Sequence, residues 1–190
     1  MKKIIIVGVG ALGSHAALFL RNVADLKIID FDRVEQKNVL SQFHQKAAVG
    51  TNKVQSMRQT MNFLFGIKLE AVPHKLVQDN VTQLLSGADL ILDCLDNGVA
   101  RRLVQGFARG GSIPCLHGAL AANGAFGRVI WDEHFSIDDE ASAGGATCED
   151  GAHLPFIGIV ASHLARSAQK FLDSGCKVGY QIHPGGTTPI

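Results

Sequence analysis

Three glycines near the N-terminus have the spacing of a phosphate-binding turn. Gly8, Gly10 and Gly13 form G-x-G-x-x-G directly after the apolar run 4–7. The first glycine allows a tight bend, the second lets the backbone approach a phosphate, and the third lets the next helix pack on the strand. Asp30 follows the next predicted strand, about 20 residues after Gly10, where an acid accepts hydrogen bonds from ribose hydroxyls. A nucleotide site is therefore predicted; the alternative is a structural turn in an α/β protein without a ligand.

A second cluster of polar residues lies at the C-terminal end of the predicted core strand 88–95. Asp93, Asp96 and Asn97 stand there, and Arg101 lies four residues past Asn97 on the following helix. In open α/β sheets this end of the strands is where ligands bind. Two carboxylates and an amide favour magnesium held beside phosphates. The alternative is that Asp96 or Asn97 only caps the helix.

Lys53 lies in the first turn of a helix predicted over 52–65. The N-terminus of a helix favours acids, so a lysine there opposes the helix dipole. This placement suggests an anionic ligand nearby, and the alternative is an exposed surface lysine.

An acidic segment over 132–153 interrupts the apolar pattern, and we predict it to be a long mobile loop. Loops of such length without structure of their own are usually functional or disordered. Cys148 lies inside it as a possible thiol nucleophile, next to Glu149 and Asp150. Neighbouring carboxylates disfavour the thiolate, so we predict that Cys148 is not an essential nucleophile unless ligand binding reorganises the loop. The alternative is a solvated loop with an incidental thiol.

Short apolar runs and helical periodicity predict the elements that must position these residues. The strand over 177–182 alternates as an edge strand does, and Pro184-Gly185-Gly186 is interpreted as a turn. The predicted strands are 4–7, 26–29, 68–72, 88–95, 113–117, 125–131 and 177–182. The predicted helices are 11–23, 52–65, a short one around 81–85, one that begins near 97 and ends near 110, and 155–172.

Length and composition limit the classes of protein. The 190 residues fit a single domain over 1–190, and a net charge of +1 gives no reason to expect nucleic acid as the main partner. No apolar run reaches the roughly 18 residues of a membrane helix, and the N-terminus does not resemble a signal peptide. The four cysteines form no C-x-x-C pair, so we expect reduced thiols in a cytoplasmic protein without structural zinc.

Together these motifs resemble the ThiF/MoeB/HesA family, which includes the ubiquitin-activating enzymes. The matching signatures are Gly8-x-Gly10-x-x-Gly13, Asp30-Phe31-Asp32 with Val34-Glu35 and Asn38, Gly50-x-x-Lys53, and Asp93-Cys94-Leu95-Asp96-Asn97-x-x-x-Arg101. Members of this family use ATP to adenylate a carboxylate, typically the C-terminus of a ubiquitin-like or sulfur-carrier protein. The resemblance implies a doubly wound, mostly parallel sheet, and we expect an antiparallel C-terminal edge.

By this resemblance Asp30 would hold the ribose, Lys53 would contact the phosphates, Asp96 would hold magnesium, and Asn97 and Arg101 would support the site. Lys53, Asp96 and Arg101 are then the expected catalytic residues. The resemblance also implies a partner ending in Gly-Gly and a homodimer. The expected nucleotide-binding residues are Gly8, Gly10, Ala11, Leu12, Gly13, Asp30, Asp32, Asn38, Gln42, Lys53, Asp93, Leu95, Asp96 and Asn97.

The sequence departs from the family at three points. Ser41 stands where an arginine should contact phosphate, the N-terminal arm is absent, and so are the zinc cysteines. His44, Arg33 or a partner could supply the missing positive charge. Three hypotheses follow, in this order: an ATP-dependent adenylyltransferase, a catalytically degenerate nucleotide-binding adaptor, and an NAD-binding oxidoreductase supported only by the glycine turn.

Overall fold

The protein, here a computed structural model described for residues 1–121, 123–137 and 151–190, is built on one sheet of eight strands. The strands are β1 (Lys3–Val7), β2 (Asp25–Ile29), β3 (Glu70–Val72), β4 (Leu90–Asp93), β5 (Cys115–Leu120), β6 (Gly127–Trp131), β7 (Tyr180–His183) and β8 (Gly186–Pro189). The helices are α1 (Ala11–Leu20), α2 (Lys53–Phe65), α3 (Val81–Leu85), α4 (Gly98–Gly111) and α5 (Leu154–Ser174). Short 3-10 helices occur at Gln36–Leu40, Lys46–Ala48 and Asp132–His134.

The strand order is β3-β2-β1-β4-β5-β6-β7-β8. The first five strands in that order are parallel, and β6, β7 and β8 are antiparallel. This confirms the expected mostly parallel sheet with an antiparallel C-terminal edge. Along the chain, β2 and β3 are added on one side of β1, and the strands from β4 onwards are added on its other side. The boundary between β1 and β4 is therefore the topological switch point, where α/β sheets bind ligands.

Helices cover both faces of the sheet because the central strands are apolar on both sides. On one face α1, α2 and α5 pack around residues such as Met57 and Leu164. On the other face α3 and α4 pack around residues such as Leu85 and Val104. The core therefore lies in two layers, one on each face of the sheet.

Some elements differ from the predictions. The first helix ends at Leu20 rather than at residue 23. The predicted turn at 184–186 is the bend of a β-hairpin, since β8 pairs with β7 beyond it. Asp132–His134, at the start of the predicted loop over 132–153, is a 3-10 helix, and Asp132 is buried. Residues 138–150, with Cys148, lie outside the described residues.

Among the described residues, no helix combines the length and the apolar character needed to cross a membrane.

Candidate functional site

The ends of three strands meet at the switch point and carry most of the predicted site. Val7, at the end of β1, lies beside Ile29 of β2 and Asp93 of β4. The glycine turn, the Asp30 loop and the Asp96 loop therefore leave the sheet side by side. The sequence motifs that lie far apart in the chain converge at this edge.

The structure gives a different reason for glycine at each of the three positions of the turn. Gly8 has φ +89°, and a Cβ there would lie 2.9 Å from the carbonyl oxygen of Cys94. A Cβ at Gly13 would lie 1.9 Å from the carbonyl oxygen of Gly8. At Gly10 the nearest atom to a Cβ would be Nε2 of Gln42, at 4.0 Å. Packing of the protein thus requires the outer two glycines, whereas the described residues leave the space over Gly10 open, which fits a close phosphate.

Asp30 joins the end of β2 to the glycine turn. Its two carboxylate oxygens accept hydrogen bonds from the backbone N–H groups of Val9 at 2.7 Å and of Asp32 at 2.8 Å. Burial raises the pKa of Asp30, and the positive charge of Lys53 and these two bonds partly offset that effect. Each oxygen keeps lone-pair capacity for a further donor, which suits ribose hydroxyls.

Lys53 begins α2 and pairs with Asp32. Its Nζ lies 3.2 Å from the Asp32 carboxylate, and its side chain is 10% exposed against 50% for Asp32. The side chain of Asn52 caps the helix and also donates to the carbonyl oxygens of Asp30 and Asp32. The alternative of a freely exposed surface lysine is therefore wrong. The Asp32 carboxylate accounts for part of the negative charge that we predicted near Lys53.

The segment from Asn38 to His44 lies against the glycine turn and α1. Asn38 is buried and accepts from the backbone N–H of Glu35. The Phe43 N–H donates to Ser14 Oγ at 3.0 Å, and Nε2 of His44 donates to the carbonyl oxygen of Val9 at 3.1 Å. These bonds hold the segment over the open space at the turn.

Within residues 1–121, 123–137 and 151–190, no hydrogen-bond partner is present for three buried polar atoms of this segment: Ser41 Oγ, Gln42 Oε1 and His44 Nδ1. Because unpaired buried polar atoms are costly, their position beside the turn fits a site for a polar ligand. Burial lowers the pKa of His44 to about 4, so the ring is neutral near pH 7. His44 therefore does not supply the missing cation in this state. Arg33 is exposed and donates to the carbonyl oxygen of Gly50.

Asp93 and Arg101 face inward. The Asp93 side chain is fully buried and accepts from the Leu95 N–H at 3.0 Å, with Arg101 Nη1 at 3.5 Å. Arg101 donates to the carbonyl oxygens of Leu95 and Gly118. This burial does not fit the magnesium-ligand interpretation of Asp93. Arg101 likewise holds the loop backbone through these bonds, and its expected catalytic role stays a prediction.

Asn97 and Asp96 occupy the loop that Arg101 holds. The side chain of Asn97 accepts from the Ala100 N–H at 2.9 Å and caps α4, as the capping alternative predicted. Asp96 is exposed. Across the described ranges, no three His, Cys, Asp or Glu side chains are grouped to hold a metal ion. A magnesium ion at Asp96 would therefore take most of its ligands from phosphate and water, as this ion commonly does.

The sequence interpretation missed a buried network behind this edge. His117 lies next to Asp93 in the register of β4 and β5 and contacts Asp132 on its other side. Burial raises the pKa of both the Cys94 and the Cys115 thiols, so neither is a ready nucleophile. The role of Cys148 stays a prediction, since this residue lies outside the part of the chain that the structure describes.

Comparison with known proteins places these features in a family. The model of the ThiF family matches residues 1–184. The chain is 30% identical over 180 residues to the molybdopterin-synthase adenylyltransferase of Salmonella typhimurium, covering 90% of this chain and 72% of that protein. It is 31% identical over 183 residues to the adenylyltransferase and sulfurtransferase UBA4 of Lodderomyces elongisporus, covering 90% of this chain and 40% of that protein.

Solved structures share the fold at low sequence identity. E. coli MccB with selenomethionine MccA has a TM-score of 0.82 at 14% identity, and MccB with ATP has 0.78 at 14%. PaaA has a TM-score of 0.77 at 18% identity. All three matches cover 100% of this chain, which spans only 62–64% of the solved chains.

Proposed function

The chain belongs to the ThiF family, and on that premise we propose that it is an ATP-dependent adenylyltransferase. The activated group would be a carboxylate, at the C-terminus of a ubiquitin-like or sulfur-carrier protein that ends in Gly-Gly. Relatives named as adenylyltransferases support the reaction. The observation that carries the proposal is the open space over Gly10 beside Asp30, at the switch point of the sheet.

The chemistry accounts for the residue types at this edge. A carboxylate resists substitution because its leaving group would be oxide. When its oxygen attacks the α-phosphorus of ATP, a new P–O bond forms, the bond to the β-phosphate breaks, and pyrophosphate leaves with the electron pair. The product is an acyl adenylate whose leaving group is AMP. Both reactants are anions, so positive charge at the site lowers the barrier.

Each residue then has a place in that site. Asp30 would accept from the ribose, and the N–H groups at the start of α1, from Ala11 and Leu12, would face the phosphates. Lys53 would neutralise phosphate charge while Asp32 holds it in place. Asp96 would hold magnesium, which when bound supplies further positive charge beside the phosphates.

A catalytically degenerate adaptor is the second candidate function, and Ser41 favours it. Ser41 is fully buried where relatives of this type are expected to carry an arginine, and His44 beside it is neutral near pH 7. The site would then bind a nucleotide with too little positive charge for adenylation. The NAD interpretation rested on the glycine turn alone, and membership of the ThiF family accounts for that turn.

Exchange of radioactive pyrophosphate into ATP separates the enzyme from the adaptor. The assay uses candidate carrier proteins that end in Gly-Gly, and Asp96→Ala is the test variant. Loss of one such electrostatic contact costs a hundredfold or more in rate, about 3 kcal/mol. AMP binding should persist, because AMP needs no magnesium. Asp173→Ala, an exposed acid on α5, is the matched control.

Exchange that collapses in Asp96→Ala but not in Asp173→Ala supports the enzyme. Nucleotide binding without exchange for every carrier tried supports the adaptor. Calorimetry with magnesium-ATP and with NAD tests the ligand, and tight NAD binding without ATP binding would refute both.

We also propose a homodimer in the cytoplasm. Exposed apolar side chains of α5, such as Leu154 and Ile159, offer surface for a second copy. Cys94, Cys115 and Cys176 are free thiols, which suits a reducing compartment. Light scattering that gives only the 20.3 kDa monomer at micromolar concentrations would contradict the dimer.

A further inference from the structure

His117 lies fully buried between two carboxylates. Its Nδ1 is 2.7 Å from Asp93 Oδ2, and its Nε2 is 3.0 Å from Asp132 Oδ1. The ring of Phe135 stacks on the imidazole, with centroids 3.9 Å apart and planes at 18°. Cys115 Sγ lies 3.6 Å from Nε2. The imidazole thus joins Asp93 at the end of β4 to Asp132 in the 3-10 helix after β6, and it fills the space between them.

On one side, this network holds the loop that carries Asp96 and Asn97. Asp93 accepts from the Leu95 N–H at 3.0 Å, and Arg101 Nε donates to the Leu95 carbonyl oxygen at 2.8 Å. Both polar backbone groups of Leu95 are therefore fixed by side chains of the network. Leu95 directly precedes Asp96, so these bonds set where the loop meets the open edge.

On the other side, the network holds the segment Asp132–Ile137. Asp132 accepts from Arg109 Nε at 2.7 Å and from Gln105 Nε2 at 2.8 Å. The same two side chains also donate to the carbonyl oxygen of Phe135. Ile137 lies at the N-terminus of α4, where its Cγ2 is 3.5 Å from a Cβ placed on Gly98. The segment is thereby anchored to α4 beside the loop of Asp96.

Each ring nitrogen of His117 lies within hydrogen-bonding distance of one carboxylate oxygen. Burial raises the pKa of Asp132, but hydrogen bonds from Arg109, Gln105 and His117 outweigh that effect and leave it lowered. Asp132 is therefore an acceptor near pH 7, and Oδ2 of Asp93 lies 3.5 Å from Arg101 Nη1. Removing the imidazole leaves two buried carboxylates facing each other across its space.

We propose that His117 is a positioning residue that couples the nucleotide edge at Leu95–Asn97 to the segment Asp132–Ile137. A ligand that orders the first region then orders the second, because both are bonded to the same ring through Asp93 and Asp132. The proposal rests on the proposed function only for the identity of the ligand.

Amide hydrogen exchange read by mass spectrometry tests the coupling. Magnesium-ATP is added to the wild type and exchange is followed in peptides that cover 93–97 and 132–137. We expect binding to slow exchange in both, by at least about fivefold in the second, the lower end of typical coupling between sites. In His117→Asn, ATP should still protect 93–97 but no longer 132–137. The control is His134→Asn, at an exposed histidine in the 3-10 helix that contains Asp132, and it should behave as the wild type.

Protection that still reaches 132–137 in His117→Asn contradicts the proposal, as does a wild type in which bound ATP protects 93–97 alone. If His117→Asn does not fold, Asp132→Asn replaces it, because its amide oxygen can still accept from Arg109 while the carboxylate oxygen that faces His117 is lost. If ATP does not bind the wild type, the proposed function fails separately. The test is then made without ligand, by comparing the variant with the wild type. Hydrogen exchange should be faster in both peptides of the variant, and faster exchange in only one of them contradicts the coupling.

Discussion

A Cβ atom at residue 13 would lie 1.9 Å from the carbonyl oxygen of Gly8, so packing of the protein itself requires a glycine at residue 13. The middle glycine has no such constraint from the described residues, among which only Gln42 comes as near as 4.0 Å to a Cβ at Gly10. The same motif therefore contains positions needed for folding and a position left free for a ligand.

Alanine at these two positions should separate folding from binding. Gly13→Ala forces a backbone shift and should lower the free energy of unfolding by about 1–3 kcal/mol. Gly10→Ala should stay within about 0.5 kcal/mol of the wild type, yet weaken ATP at least about tenfold, or 1.4 kcal/mol, by filling the phosphate space. Urea unfolding and calorimetry measure the two effects. Unchanged ATP affinity in Gly10→Ala would show that the phosphates lie elsewhere.

Ser14 and Ser41 form a second matched pair, since both are fully buried but, among the described residues, Ser14 has a hydrogen-bond partner and Ser41 has none. Ser14→Ala leaves the Phe43 N–H unpaired and should cost about 1–3 kcal/mol of unfolding free energy. Ser41→Ala removes a buried hydroxyl without a partner among the described residues, so the free energy of unfolding should stay the same or rise by up to about 1–3 kcal/mol. Chemical denaturation of both variants gives the comparison. Equal losses would mean that the Ser41 hydroxyl has a partner in solution.

His44 should make stability fall at acid pH. Burial lowers the pKa of folded His44 to about 4 from the ordinary value of 6.5, so the unfolded chain binds the extra proton between these values. The free energy of unfolding therefore decreases as pH falls below 6.5 and is unaffected by this group above it. Between pH 6.5 and 5 the loss is about 2 kcal/mol, at 1.36 kcal/mol per pH unit.

His44→Gln keeps a donor for the Val9 carbonyl oxygen and removes the titration. Its unfolding free energy, measured in urea at pH 7 and pH 5, should fall by less than that of the wild type. His183→Gln, at an exposed site, should follow the wild type. A pH dependence shared by all three proteins would assign the effect to other groups.

Lys53 should matter for phosphate and little for folding. Its partner Asp32 is half exposed, so Lys53→Gln should cost no more than about 1 kcal/mol of stability. A charged hydrogen bond to phosphate contributes about 1.5–3 kcal/mol, so ATP should bind roughly tenfold or more weakly. Adenosine, which has no phosphate, should bind as before. Lys46→Gln, at an exposed lysine, is the control in the same titrations. Equal weakening of ATP and adenosine would argue for a structural role.

Local motifs in the sequence were sufficient to predict the switch-point edge. The run from β1 through the glycine turn to Asp30 is one contiguous strand, turn, helix and strand, and each part has its own pattern. β8 was missed because its four exposed residues carry no apolar alternation and the strand itself begins on a glycine. The sheet hydrogen bonds that define it come from β7, which local sequence does not show.

The buried network was missed for a related reason. His117 contacts Asp93 and Asp132, which lie 24 and 15 residues away along the chain. Only the register of neighbouring strands brings them together. Composition placed Asp132 in an acidic loop, whereas its carboxylate is buried against His117 and Arg109. Asp93 was likewise assigned to the open edge, although the strand turns its side chain inward.

The outermost strand β8 also bears on aggregation. Gly179 and Ile190 exchange two backbone hydrogen bonds, so the next pair, Tyr180 and Pro189, occupies a non-hydrogen-bonded position. The Pro189 nitrogen therefore points to the open edge, where it has no hydrogen to donate. A further strand joining this edge would lose a ladder bond at that point. This edge is thus a poor template for joining two sheets edge to edge, even at high protein concentration.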